Sequence, residues 1–155
     1  MKQIGDKVKD FCLQNQDGVE ICLRDLAGKW VVLYFYPRAS TPGCTTQACD
    51  FSEAVFEFGK MDAMILGVSG DSVKKLQNFV VKKELDITLL SDEEHTLLEE
   101  FGVWQLKKNY GKEYMGIVRS TFIIDPDGTI QAIWNKVKVK GHVEEVKEKL
   151  KALQL

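Results

Sequence analysis

The stretch WVVLYFYPRASTPGCTTQACDF, residues 30–51, holds a strand, a turn and the start of a helix in succession. Its first seven residues, 30–36, are apolar on both faces, which is typical of a central strand buried on both sides. Beyond Pro42 the apolar residues recur at spacings of three and four, which predicts a helix over 42–58. A strand that leads into a helix through a rigid turn indicates an α/β fold.

The sequence before and after this stretch predicts further strands and helices. Residues 10–23 alternate around a Gln-Asp-Gly turn and predict a β-hairpin in which Gly18 has a positive φ. The segment 103–116 is polar and is predicted to be irregular. Further strands are predicted at 62–72, at 87–92 and on both sides of the DPDG turn at 125–128. Further helices are predicted at 72–86, capped by Ser72 or Asp71, at 92–102, ended by Gly102, and at 142–153.

This order of elements predicts an α/β, thioredoxin-like fold, with a mixed central sheet flanked by helices and an N-terminal β-hairpin. No repeat or linker interrupts the 155 residues, so one domain over 1–155 is expected. The formal net charge of −2 and the absence of a long basic run argue against nucleic acid as a partner. No apolar window is long enough for a membrane span or a signal peptide, which predicts a cytoplasmic protein.

Two of the four cysteines, Cys44 and Cys49, fall on the helix predicted after the turn. Five helical positions separate them by about 140° around the axis and about 8.6 Å between Cα atoms. A disulfide requires Cα atoms within about 7 Å, so the pair can bond only if the first turns unwind. Disulfides in a reducing cytosol are usually transient and catalytic. The spacing therefore suits a redox pair whose bond follows a conformational change.

The residues before Cys44 favour its thiolate form. Pro42 fits the first helical turn, which places the free N–H groups and the positive end of the helix dipole at Cys44. Gly43 lets a ligand approach the backbone, and the hydroxyl of Thr41 is expected beside the sulfur. These residues predict an anion-binding pocket around a nucleophilic sulfur.

This constellation resembles the active site of the peroxiredoxins. The spacing PxxxTxxC, here Pro37, Thr41 and Cys44, is similar to their signature, and YFYPRASTPGCTTQACDF closely resembles the Q, or bacterioferritin-comigratory, subfamily. In that subfamily a second cysteine follows the first by five residues. The segment VRSTFIIDPDG resembles the strand that carries an essential arginine, here Arg119, and residues 89–104 also match in position and character.

The resemblance implies a thiol peroxidase that reduces hydrogen peroxide and organic hydroperoxides. Cys44 would attack the peroxide and become a sulfenic acid, while Thr41, Arg119 and the N–H groups near Gly43 stabilise the reacting oxygens. Cys49 would resolve the sulfenic acid as an intramolecular disulfide, which a thioredoxin-type dithiol protein reduces. The supporting residues implied are Pro37, which shapes the loop, Pro42, which shields Cys44, and Gln47, which supports the network.

The chain lacks the GGLG insertion and the C-terminal YF segment of over-oxidation-prone relatives. This favours resolution within one subunit and a monomer or weak dimer. No haem, flavin or metal is required.

Other readings of these residues stay open. Cys49 could be core filler, and Arg119 could be a surface ion-pair residue. Cys12 and Cys22 lie on the two arms of the hairpin, where we expect two packed thiols, although a disulfide is conceivable. His95 and His142 are predicted to face solvent. Trp104 and Tyr110 could border the site or simply pack.

Two other function classes also stay open. One is a thiol–disulfide oxidoreductase or redox sensor on the same fold, although this chain has C-x-x-x-x-C instead of C-x-x-C. The other is a non-catalytic metal-binding or partner-binding domain, which the poor ligand spacing disfavours.

Overall fold

The structure is a computed structural model that describes residues 1–155. Its nine strands are β1 (Cys12–Asn15), β2 (Glu20–Cys22), β3 (Trp30–Phe35), β4 (Ala63–Ser69), β5 (Thr88–Ser91), β6 (Trp104–Asn109), β7 (Lys112–Ile117), β8 (Ser120–Ile124) and β9 (Ile130–Trp134). Its five α-helices are α1 (Pro42–Glu53), α2 (Val55–Lys60), α3 (Val73–Lys83), α4 (Thr96–Glu100) and α5 (His142–Leu153).

Seven strands form one mixed sheet in the order β2-β1-β5-β4-β3-β8-β9. Strands β3, β4 and β5 are parallel, and the hairpins β1-β2 and β8-β9 join this centre in antiparallel pairing. Helices α1, α2, α3 and α5 cover one face, and α4 covers the other. The predicted thioredoxin-like α/β fold with an N-terminal hairpin is confirmed.

Strand β3 is central because side chains on both of its faces are apolar. Val32 and Tyr34 pack beneath α1, whereas Val31, Leu33 and Phe35 pack on the α4 side. Each of the five is at most 1% exposed. Fully burying a side chain of this size contributes roughly 1.5–3 kcal/mol, so β3 is a rigid base for the loop and helix that follow it.

The helix predicted over 42–58 is two helices in the structure. Helix α1 ends at Glu53 and α2 begins at Val55. Between them Ala54 is the C-cap of α1, and its N–H donates to the carbonyl of Phe51. The apolar spacing continues across the break because Phe51 and Phe58 enter the same core. Periodicity alone therefore could not show where the first helix ends.

The prediction that 103–116 is irregular is wrong. Strands β6 and β7 form a two-stranded antiparallel hairpin apart from the main sheet. Its turn residues Tyr110 and Gly111 both have positive φ, 52° and 77°, as tight hairpin turns require. Most of its residues are exposed, so no apolar alternation marks it as strand.

Ser72, not Asp71, caps α3, because its Oγ accepts the N–H of Lys75 at 3.3 Å. Asp71 instead fastens the loop before α1. Its carboxylate accepts the N–H of Ala39 at 2.7 Å and the hydroxyl of Ser69 at 2.8 Å. The C-terminal end of β4 thus holds the loop that follows β3.

Helix α4 is shorter than predicted, since His95 has a left-handed φ of 62° directly before it.

Cys12 and Cys22 form a disulfide, with an S–S distance of 2.02 Å, so the expected pair of packed thiols is wrong. The two residues are direct partners in the β1-β2 register. The N–H of Cys22 bonds to the Asp25 carboxylate instead of to β1, so the pair occupies a non-hydrogen-bonded position, where opposing side chains are closest.

The helices of the structure are all too short or too polar to cross a bilayer.

Candidate active site

The start of α1 carries Cys44. Thr41 is the N-cap residue in extended conformation, and Pro42 is the first helical residue. The first helical hydrogen bond runs from the N–H of Thr45 to the carbonyl of Thr41 at 2.8 Å. The N–H groups of Gly43 and Cys44 precede this bond and point out of the helix end. The sulfur of a buried Cys44, 2% exposed, therefore lies at a positive helix terminus, as predicted.

Arg119 reaches this sulfur from the segment just before β8. Its Nη2 donates to Cys44 Sγ at 3.3 Å, and its Nη1 donates to Gln47 Oε1 at 2.5 Å. The carbonyl of Arg119 accepts the N–H of Val137, which fixes its backbone. The guanidinium thus places a positive charge and a fixed N–H donor directly at the sulfur. The alternative that Arg119 is a surface ion-pair residue does not fit these contacts.

Gly43 leaves the space that Arg119 occupies. A Cβ atom at this position would lie 3.3 Å from Arg119 Nη2. Gln47, one helical turn after Cys44, is fully buried and holds the other arm of the guanidinium. Gly43 and Gln47 thus fix the position of Arg119, which is distant from them in the chain.

The other residues predicted for the site, Thr41, Pro42 and Pro37, lie in the loop and first turn around Cys44 and make no hydrogen bond to its sulfur. Thr41 Oγ1 donates to the carbonyl of Arg38 at 2.8 Å, which leaves its lone pairs free to accept a hydrogen bond. Pro42 is exposed at the helix start, and Pro37 is half-buried at the end of β3. The predicted contact between the Thr41 hydroxyl and the sulfur is not among the hydrogen bonds of this state.

Cys49 lies on the same unbroken helix, half-buried against the core beneath α1. Both Cys44 and Cys49 are free thiols. The structure therefore represents the reduced, fully wound state that the spacing predicts. A bond between these two sulfurs requires part of α1 to open.

Two tyrosine hydroxyls lie beneath the site, and the sequence analysis did not identify them. Tyr34 stacks on Phe51 with ring centroids 4.6 Å apart, and both Tyr34 and Tyr36 are 1% exposed. Neither hydroxyl has a hydrogen-bond partner. Burial raises the pKa of both far above the ordinary tyrosine value, so both rings are neutral. The signal in the sequence was the aromatic alternation YFY directly before Pro37.

The prediction that His142 faces solvent is wrong, since it is 1% exposed. Its ring packs edge-on against Phe51 and Trp134, and Nε2 lies 2.7 Å from Thr121 Oγ1. Burial lowers the pKa of His142. His95 is partly covered by Trp104, with ring centroids 4.0 Å apart.

One group of residues has ligand atoms close enough for a metal ion: Cys12, Cys22 and Glu20, all within 4.8 Å of one another. The two sulfurs are joined to each other, and a metal requires thiolates. This group lies on the β1-β2 hairpin, apart from Cys44.

The fold and this cysteine–arginine site define a class of protein. The model of the AhpC/TSA family matches residues 4–133, and the chain belongs to this family of peroxiredoxins. It is 52% identical over 149 residues to Peroxiredoxin Bcp of Bacillus subtilis, a match that covers 96% of this chain and 95% of the relative. It is 44% identical to Peroxiredoxin Bcp of Escherichia coli, with 95% and 94% covered.

Solved structures agree with this assignment. The bacterioferritin comigratory protein of Xanthomonas campestris has a TM-score of 0.87 at 46% identity, over 92% of this chain and 90% of that one. A mutant of the Xylella fastidiosa peroxiredoxin Q has a TM-score of 0.96 at 38% identity, over 100% and 99%. The chain is a thiol peroxidase of the Q, or bacterioferritin-comigratory, branch of the peroxiredoxins.

Proposed function

We propose that Cys44 is the peroxidatic residue. Its thiolate attacks the terminal oxygen of a hydroperoxide, the O–O bond breaks, and the departing oxygen takes a proton to leave as water or an alcohol. The sulfur is oxidised to a sulfenic acid. The observation that carries this assignment is the contact of 3.3 Å between Arg119 Nη2 and Cys44 Sγ at the start of α1.

Arg119, Thr41 and the free N–H groups of Gly43 and Cys44 hold the peroxide. The Thr41 hydroxyl already donates to a carbonyl, so it accepts the hydrogen bond of the peroxide O–H. The guanidinium and the N–H groups face the charge that moves from sulfur to the leaving oxygen. Donors fixed in this way reduce the barrier, typically by about 3–4 kcal/mol for one donor. Pro37, Pro42 and Gln47 keep these groups in position.

Cys49 resolves the sulfenic acid. Its sulfur attacks Cys44, the S–O bond breaks, water leaves, and an intramolecular disulfide forms. The separation imposed by the intact helix makes opening of α1 part of this step. A dithiol protein of the thioredoxin type then reduces the disulfide by exchange.

We further propose that the substrates are hydrogen peroxide and organic hydroperoxides and that the chain acts in the cytoplasm. The Xanthomonas relative is described in connection with alkyl peroxide reduction, which supports the organic substrates. The whole chain would act as one domain, as a monomer or weak dimer. The almost complete burial of Cys44 favours a small peroxide over a protein disulfide as its first reactant, so the oxidoreductase alternative is not favoured.

Rapid mixing of the reduced protein with one equivalent of hydrogen peroxide tests the cycle, with peptide-resolved mass spectrometry as the readout. We expect the wild type to form the Cys44–Cys49 bond, Cys49→Ser to stop at a sulfenic acid on Cys44, and Cys44→Ser to be inert. Peptide mapping separates this bond from Cys12–Cys22. If Cys44→Ser consumed peroxide as fast as the wild type, the assignment would be wrong.

A further inference from the structure

The β6-β7 hairpin places a second cation close to Arg119. Lys107, on β6, is half-buried, and its Nζ donates to the carbonyl of Ile117 at 2.9 Å. Ile117 ends β7 and precedes Arg119 by two residues. In extended backbone this separation is about 6.6 Å. The ammonium is therefore anchored next to the segment that delivers Arg119 to Cys44.

The β6-β7 hairpin restrains the side chain of Lys107, unlike that of an ordinary surface lysine. Its stem crosses Gly116, where a Cβ atom would be 2.9 Å from Lys107 Cδ. The neighbouring Lys108 is exposed and pairs with Glu113. Lys107 has no carboxylate within salt-bridge distance, so its charge is not neutralised by an acidic side chain.

The charges that act on Lys107 come from the active site. Burial and the charge of Arg119 lower the pKa of Lys107, while the sulfur of Cys44 raises it. Its cross-strand neighbour is Tyr114. The other titratable groups that face Cys44 are Tyr34, which is neutral and buried, Tyr36, likewise neutral, and Arg119. Lys107 is thus a partly buried cation, fixed to the backbone two residues before Arg119, with no carboxylate paired to it.

We propose that Lys107 is a positioning residue of the peroxidatic centre, whose ammonium adds to the field of Arg119 and keeps Cys44 in the thiolate form. This inference rests on the proposed role of Cys44. The charge acts through the electrostatic field, since the hydrogen bond of Lys107 goes to Ile117 and not to the sulfur. The β6-β7 hairpin thereby becomes part of the active site.

The test is the pH profile of Cys44 alkylation by iodoacetamide in a Cys49→Ser background, with peptide mapping to Cys44. We expect Lys107→Met and Lys107→Gln to move the midpoint of the profile upward by about 0.5–1 pH unit, which slows alkylation several-fold below the midpoint. Lys107→Arg keeps the charge and should retain the parent midpoint. Lys108→Met is the matched control and should also retain it.

Lys107→Gln separates charge from hydrogen bonding, because glutamine keeps an N–H donor but carries no charge. If the midpoint of the alkylation profile shifted in Lys107→Met but not in Lys107→Gln, the role of Lys107 would be its hydrogen bond to the hairpin and not its charge. That result would overturn the proposal. An unchanged midpoint in both would do the same. Alkylation requires no peroxide, so a failure of the peroxidase assignment leaves this measurement interpretable.

Discussion

Arg119 and Cys44 are 75 residues apart in the chain and 3.3 Å apart in space. At the scale of single residues, this contact determines the chemistry. It combines a helix terminus, a glycine that leaves room and a buried glutamine that fixes the guanidinium. Each of these features is present locally in the sequence, but their meeting depends on the adjacent position of β3 and β8 in the sheet.

Arg119→Met should slow the reaction of Cys44 with hydrogen peroxide by about 10²–10³-fold, because the fixed donor to the reacting charge is lost. The measurement is the second-order rate of sulfenic acid formation in a Cys49→Ser background. Arg24→Met is the matched control, since Arg24 is exposed and pairs with Asp10 on the far hairpin. Equal rates for Arg119→Met and its parent would contradict the role.

His142 should make the stability of the protein depend on pH. Its pKa is lowered in the folded state, so the unfolded chain binds more protons once the pH falls to the ordinary histidine range near 6.5. The free energy of unfolding should therefore decrease as the pH falls from 7 to 5, and this decrease should be smaller in His142→Gln. Urea unfolding at several pH values measures it. Equal slopes in the two proteins would show that other groups cause the dependence.

At the scale of elements, α1 has to be both stable and able to open. It buries Cys44, Gln47, Ala48 and Phe51 against the sheet, yet its first turn has no side-chain cap. An uncapped start lacks about 1 kcal/mol of stabilisation. The Cys44 end can therefore unwind, whereas Phe51, stacked on Tyr34, keeps the later turns in place.

Disulfide formation should open the first turns of α1. We expect amide hydrogens of residues 43–49 to exchange much faster in the Cys44–Cys49 oxidised protein than in the reduced one. Helix α3, which Ser72 caps, serves as the internal reference and should keep its protection. Unchanged exchange across α1, with the bond confirmed by mass, would refute the unwinding step.

At the scale of the whole molecule, the Cys12–Cys22 disulfide lies at one edge of the main sheet. Strands β2 and β1 are separated from β3 by β5 and β4. The bond closes a short loop with a sequence separation of 10 residues. Its role is therefore expected in stability and not in peroxide chemistry.

The double variant Cys12→Ser/Cys22→Ser should unfold more easily than the wild type by about 2–3 kcal/mol, from the chain entropy that the closed loop removes. Denaturation without reductant measures this difference, and adding a reductant to the wild type should reproduce it. The rate of the Cys44 reaction should stay unchanged. A large loss of that rate would show that the hairpin is coupled to the active site.

The sequence by itself determined the elements that depend on residues close together in the chain. The apolar run before Pro37 predicts β3, the turn TPGC predicts the helix start, and the spacing of Cys44 and Cys49 predicts a pair that cannot bond within an intact helix. The thioredoxin-like fold and the thiolate site follow from these features and from the family resemblance.

Only the tertiary structure decided features that depend on distant partners. The exposed β6-β7 hairpin carries no apolar alternation, so its pairing, and with it the anchored Lys107, could not be read from the pattern. His142 is buried because α1 and β9 cover it, and Cys12 bonds Cys22 because the hairpin register aligns them. The physical reason is common to all three: long-range packing and pairing, not local propensity, sets burial and contact.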